Sequence, residues 1–274
     1  MPSYVVVGAS RGLGYGFLNV LSAEKENTVI GLVRNVPGTK AQVATDFPDR
    51  KNIHIVQADL NDRATLVAAV EQVSAITGGS VDVLISNAAV GSSRFLPIGE
   101  EANDDPAAFD ANMETQFRTN VLGTIHAVAL FAPLVQKSQL KKIAVISSAM
   151  GDVELVLNVG ISQGAPYAIS KAAVNMAVAK FHNEYRDRGV LVVGISPGVV
   201  ATTFAQDGTE QGKADTQKAM AVMGAKFMVY DPNWPGIPFT ADEAATNVIK
   251  VITKATIKDN GGLMVSQYGD RNWL

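Results

Sequence analysis

Short apolar runs alternate along this chain with longer stretches in which apolar residues recur every three or four positions. That alternation of period two and period 3.6 predicts buried strands separated by helices. Tyr4-Val5-Val6-Val7 has no polar face, as a parallel strand covered on both sides should. It runs into Gly8-Ala9-Ser10-Arg11-Gly12-Leu13-Gly14, after which residues 15–23 read as helix. Further strands are expected at residues 28–33, 53–58, 81–85, 142–146, 190–195 and 262–266. Helical periodicity covers residues 37–47, 62–76 with Asn61 or Asp62 as cap, 106–135, a run from Ala165-Pro166 with no further glycine or proline before Gly189, and 240–255. Residues 90–105 and 152–165 read as loops, and 199–238, with Met220, Met223, Phe227, Met228 and Trp234, as a mobile apolar lid carrying one or two short helices.

Strands and helices in this rhythm form an α/β fold: a doubly wound, Rossmann-type sheet of about seven parallel strands with helices on both faces, one domain over residues 1–274. Right-handed crossovers place the carboxyl ends of all strands along one edge, where ligands bind. The glycine loop, Arg34, Asp59, Asn87, Ser148 and Pro197-Gly198 each follow an expected strand end. Polar residues scattered over the sequence therefore converge on one site.

The chemistry of that site follows from its parts. A glycine-rich turn between a strand and a helix N-terminus suits a pyrophosphate, because backbone N–H groups point outward and the helix dipole is positive there. The spacing is G-x-x-x-G-x-G. The second strand ends Leu32-Val33-Arg34-Asn35, without the acid that would hold a ribose 2′-hydroxyl. Arg34 and Arg11 could instead flank a 2′-phosphate, which favours NADP over NAD; otherwise they are ordinary surface arginines. Tyr167 and Lys171 share a helix face four residues apart, and an ammonium beside a phenol favours the phenolate and lowers its pKa. Such a pair also arises by chance, so its weight comes from the rest of the site. Asn120 is a poor residue for mid-helix; it marks either a kink with a role or a solvent-facing position.

Composition narrows the alternatives. The chain is 47% hydrophobic and 18% charged with net charge −3, which offers no basic surface for nucleic acid or an anionic membrane. With no cysteine there is no disulfide, thiolate metal site or cysteine nucleophile, and His54, His126 and His182 lie in no metal-ligand spacing. The longest apolar stretch, residues 121–135, is too short to span a bilayer, and the apolar run that begins at Tyr4 leaves no room for a signal peptide. A cytoplasmic protein is expected.

Gly8-x-x-x-Gly12-x-Gly14, Asp59-Leu60, Asn87-Ala88-Ala89, Asn120, Ser148, Tyr167-x-x-x-Lys171 and Pro197-Gly198 occur in the order found in the short-chain dehydrogenases/reductases, and the chain resembles that family over its whole length. Val7, Ser86 and Ala89 depart mildly from the family pattern. The long segment between Ser148 and Tyr167, with the ending Gly261-Gly262-Leu263-Met264-Val265-Ser266-Gln267-Tyr268-Gly269-Asp270, resembles the C-factor-like and sniffer-like carbonyl reductases and fungal ketoreductases of the norsolorinic acid type.

The resemblance implies NADPH-dependent reduction of a ketone or aldehyde, on a secondary-metabolite or polyketide-type substrate. Tyr167 would be the general acid. Lys171 would lower its pKa and bind the nicotinamide ribose, Ser148 would orient the carbonyl, and Asn120 would hold a water linking Lys171 to solvent. Cofactor contacts would come from Gly8, Ser10, Arg11, Gly12, Leu13 and Gly14, from Arg34, from Asp59 and Leu60 beside the adenine, and from Asn87 and Ala88. Pro197, Gly198, Val200 and Thr202 would lie toward the nicotinamide. The helices holding Asn120 and Tyr167 would pair in a homodimer or homotetramer. Reduction of an imine or conjugated C=C, and a non-catalytic nucleotide-sensing role, remain as rivals on sequence grounds.

Overall fold

In the computed structural model, residues 1–92, 94–201 and 210–274 are described. Seven parallel strands form one sheet in the order β3-β2-β1-β4-β5-β6-β7. They are β1 Ser3–Val7, β2 Thr28–Val33, β3 Ile53–Gln57, β4 Val83–Ser86, β5 Lys142–Ile146, β6 Leu191–Ile195 and β7 Met264–Val265. The order reverses between β1 and β4, which are hydrogen-bonded neighbours, so the helices that follow them leave on opposite faces and open a crevice there.

On one face lie α1 (Gly12–Ser22), α2 (Val36–Asp46) and, from the far end of the chain, α10 (Ala241–Lys254). Phe17, Leu18, Val248 and Ile252 are buried there against Val6, Ile85 and Val193. On the other face lie α3 (Arg63–Thr77), α6 (Thr124–Val135) and α8 (Ala165–Tyr185), burying Leu66, Val128, Phe131 and Val178 against Leu84, Ile143 and Val192. Strands covered on both faces carry nearly continuous Val, Ile and Leu, as the runs in β1, β4 and β6 do. Lys142 closes the end of α10 by donating from Nζ to the carbonyls of Ile252, Thr253 and Ala255 at 2.7, 2.8 and 3.1 Å.

Three expectations need correction. Residues 90–105 are not all loop: α4 spans Ile98–Asp104. Its one buried side chain is Glu101, so no apolar period marks it, while Glu100 and Glu101 sit in the first turn, where the helix dipole favours acids. Residues 152–165 contain α7, Val153–Val159. Asp152 caps it by accepting from the Leu155 N–H at 2.9 Å, and Gly160 ends it at φ +69°. The lid carries one long helix, α9 Glu210–Tyr230, rather than one or two short ones. Met223 and Phe227 of α9 are buried with Leu155 and Val159 of α7 and with Trp273, so both helices owe their formation to a third, satellite core.

Residues 106–135 form a single helical run that is long and apolar enough to cross a membrane. Here it is a core helix, with Ala127, Val128, Phe131, Ala132 and Val135 fully buried against the sheet. It comprises α5 (Pro106–Gln116) and α6, joined by a π-helical segment, Phe117–Gly123. Asn120 lies at the centre of that segment and is 1% exposed, so the solvent-facing reading is overturned and the helix is π-distorted where a kink was expected.

Candidate active site

The glycine loop sits in the crevice between β1 and β4. Gly8 adopts φ +80°, and a Cβ there would meet the Ala88 Cβ at 2.6 Å. A Cβ on Gly14 would meet the Gly8 carbonyl oxygen at 2.0 Å and Asn87 Nδ2 at 2.7 Å, so Gly14 is dictated by the close approach of α1 to the sheet and Gly8 by its positive φ and the close approach of the segment after β4. Asn87 Nδ2 donates to the Gly8 carbonyl at 3.0 Å and ties the ends of β1 and β4 together. No side chain caps the N-terminus of α1. Its first N–H groups are therefore available to a phosphate, and the donor set fits a dinucleotide pyrophosphate.

Arg11 precedes α1, Arg34 follows β2, and both are exposed. Ser10 is partly buried, as are Asp59, Pro197, Gly198 and Val200. Leu13 and Leu60 are 8% and 7% exposed, so their side chains belong to the core and only their backbones can meet a ligand. Asp59 Oδ1 accepts from the Asn61 N–H at 2.9 Å, ordering the turn after β3. Gly198 adopts φ +79°, packed against Phe239 and Gln267. Thr202 lies outside the described residues.

The reacting groups meet at the ends of β5 and α8. Gly164, in the left-handed region at φ +67°, and Pro166 in the first turn start α8 and deliver Tyr167 to the edge of the sheet. Ser148 follows β5 and caps a short 3-10 turn, Ala149–Gly151, its Oγ accepting from the Met150 N–H at 3.2 Å. That turn lies directly on α8. A Cβ on Gly151 would be 2.7 Å from the Ala172 nitrogen, and Asn175 Nδ2 donates to the Gly151 carbonyl at 3.2 Å. This contact brings Ser148 and Tyr167 into a side-chain hydrogen bond.

Lys171 is 3% exposed; its Nζ donates to the Ile146 carbonyl at 2.9 Å and lies 5.6 Å from the Tyr167 ring centroid. Burial lowers its pKa to about 8. Tyr167 moves the other way from expectation. Burial pushes its phenol up to about 12, and the Ser148 hydrogen bond pulls down only part of that. The lysine was expected to lower the phenol, but in this arrangement desolvation of the phenolate outweighs an ammonium that is itself bound to a carbonyl.

Asn120 is the most fully engaged residue of the site. Its Oδ1 accepts from the Val90 N–H at 2.8 Å. Its Nδ2 faces the Val90 carbonyl, Gln116 Oε1 and Ser170 Oγ, each at 3.0 Å. Ser170 Oγ in turn donates to the Tyr167 carbonyl at 2.8 Å. Gln116, Ser170 and the backbone of Val90 were not singled out from the sequence. Only the i, i+4 spacing of Gln116 and Asn120 hinted at them. Among the described residues no three His, Asp or Glu side chains cluster as a metal ion would require.

Residues 3–213 match the family model described as short chain dehydrogenase. The chain is 40% identical over 277 residues to the short-chain dehydrogenase/reductase AacuF of Aspergillus aculeatus, and 38% identical over 277 residues to the short chain dehydrogenase virK of Hypocrea virens, with 100% of each chain covered in both cases. Among solved structures, the NADPH-bound carbonyl reductase from chicken fatty liver superposes with TM-score 0.75 at 24% identity over 98% of both chains. The carbonyl reductase Sniffer of D. melanogaster does so with TM-score 0.75 at 20% identity over 98% of both chains. At such identities these two structures speak for the fold.

Proposed function

The chain belongs to the short-chain dehydrogenase family, and from that premise we propose that it is an NADPH-dependent carbonyl reductase acting on a ketone or aldehyde. The observation that carries this reading is the hydrogen-bonded Tyr167–Ser148 pair beside the buried Lys171, at the edge of the sheet that also holds the uncapped glycine loop.

Bound in the crevice, the nicotinamide would supply a hydride to the carbonyl carbon. The chain supplies position and a proton. A carbonyl oxygen placed between the neighbouring Ser148 and Tyr167 hydroxyls would accept a hydrogen bond from each. With its pKa near 12, Tyr167 is fully protonated at neutral pH and able to give its proton to the oxygen as negative charge develops there. Lys171, charged below about pH 8, then stabilises the phenolate left behind. The exposed Arg11, just before α1, and Arg34, just after β2, are available to an adenosine 2′-phosphate, which supports NADPH over NADH. Above the site, the satellite core of α7 and α9 suits an apolar substrate of the polyketide type.

A second copy of the chain would pair with this one through α5, α6 and α8. Phe117 and Leu122 of the π-helical segment and Ile169 and Met176 of α8, between 42% and 61% exposed, are the apolar side chains such a pairing would cover.

The deciding experiment follows loss of the nicotinamide absorbance band with a panel of ketones and aldehydes. Tyr167→Phe should abolish turnover while NADPH still binds, as read by its fluorescence. Undiminished turnover in that variant would sink the mechanism.

A further inference from the structure

A row of side chains, buried except for the half-buried Asn112, runs from the site to a carboxyl group that the reaction does not use. Asn120 Nδ2 donates to Gln116 Oε1 at 3.0 Å, Gln116 Nε2 to Asn112 Oδ1 at 3.3 Å, and Asn112 Nδ2 to Glu101 Oε1 at 3.4 Å. The three amides are four residues apart, so they stack along one face of α5 and the π-helical segment. The Asn112 amide also donates to Ser92 Oγ at 3.2 Å, holding the loop after β4 to the same row.

The row has a direction. Each amide turns its N–H groups toward the next, and the last meets a carboxylate, which when ionised can only accept. Turning the Asn112 amide over would set its oxygen against that carboxylate and its NH₂ group against Gln116 Nε2, so the bond back to Gln116 would lose its acceptor. At the near end, the same direction leaves Asn120 with its oxygen on the Val90 N–H and its NH₂ group on Ser170, which supports Tyr167.

Glu101 is fully buried, and its Oε2 has no hydrogen-bond partner among the described residues. Burial raises the pKa of the Glu101 carboxyl; the Arg94 guanidinium, hydrogen-bonded to Asp104, offsets part of that through its charge alone. A buried, half-satisfied carboxylate is a poor choice for stability alone, where an amide or an apolar side chain would serve better.

We propose that Glu101 is a positioning residue for the active site, acting through Asn112 and Gln116 to fix the orientation of Asn120. The activity arm of this inference rests on the reductase reading above. Glu101→Leu and Gln116→Leu, which cut the row at its end and its middle, should each lower kcat by about 10-fold with the Kd for NADPH unchanged. The double variant should be no worse than the poorer single one. Glu101→Gln keeps an acceptor oxygen for Asn112 and should retain kcat within about twofold. Wild-type kcat in Glu101→Leu, multiplicative losses in the double variant, or a Glu101→Gln as slow as Glu101→Leu would each overturn the proposal. If Glu101→Leu does not fold, Asn112→Leu, which cuts the row one step earlier, takes its place in the same comparison with Gln116→Leu. If the wild-type chain oxidises NADPH with no carbonyl in the panel, the reductase reading fails by itself. A urea-denaturation cycle on positions 101 and 116 then decides, with additive losses in stability refuting the coupling.

Discussion

Replacing Asn120 by leucine keeps nearly the same volume but removes every hydrogen bond of the amide. The Val90 N–H at 2.8 Å and the Gln116 Oε1 at 3.0 Å would be left facing a methyl group. Gln116 is 1% exposed, so water cannot replace the lost partner there, whereas Val90 is only partly buried and can reach solvent through the cleft. An orphaned buried polar group costs ~1–3 kcal/mol, so Gln116 in full and the solvent-relieved N–H and carbonyl of Val90 together cost ~2–4 kcal/mol. At roughly 2–4 °C per kcal/mol for a domain of this size, Tm should fall by roughly 4–16 °C. Urea denaturation checks this: the midpoint should move with the slope unchanged, because the surface exposed on unfolding is the same. Asn120→Asp adds a sign test. It keeps an acceptor for Val90 but sets a carboxylate against Gln116 Oε1, so the folded state raises that carboxyl's pKa. Its stability deficit should therefore shrink as pH falls and the carboxyl regains a proton to donate. A loss below ~0.5 kcal/mol for Asn120→Leu, the level of an ordinary surface change, would refute the view that the π-helical segment exists to hold this amide in place.

Other consequences can be measured directly. In the reduction direction kcat/KM should be level at neutral pH and fall as pH rises through about 8, where Lys171 loses its charge, while Tyr167, near 12, stays protonated throughout. A profile flat to well above pH 9 would show that the Lys171 charge is not needed. Gly151→Ala should lower kcat by about 10-fold or more while NADPH binding persists, because its Cβ, 2.7 Å from the Ala172 nitrogen, must push the Ser148 turn off α8. Kinetics alongside NADPH fluorescence would separate the two effects. Arg34→Ala should weaken NADPH binding by about 10-fold, as loss of one charge-assisted phosphate contact does, and leave NADH nearly unchanged. Equal effects on both cofactors would remove the 2′-phosphate role.

The elements marked by a repeating apolar pattern were legible before any coordinates. The seven strands and the helices packed on the sheet fall within a few residues of their expected bounds, because each must bury one face or both and the side-chain period shows it. α4 and α7 were not legible. The first buries a lone glutamate, and the second packs against a helix more than fifty residues further along the chain and against Trp273. α9 was missed as a single helix for the same reason: its buried residues face a small satellite core rather than the sheet.

The candidate site divides in the same way. Its members were readable from the sequence, since glycines at a strand end, a Tyr and Lys four apart and a serine after β5 are local facts. Their state was not. Whether Asn120 faces solvent or a buried cage, and whether Tyr167 is pushed up or pulled down, depends on groups distant along the chain: Val90, Ser148, Ser170 and the walls that exclude water. Spacing along the chain determines which residues share a face. Desolvation and hydrogen-bond direction are properties of the assembled volume, and only the tertiary structure decides them.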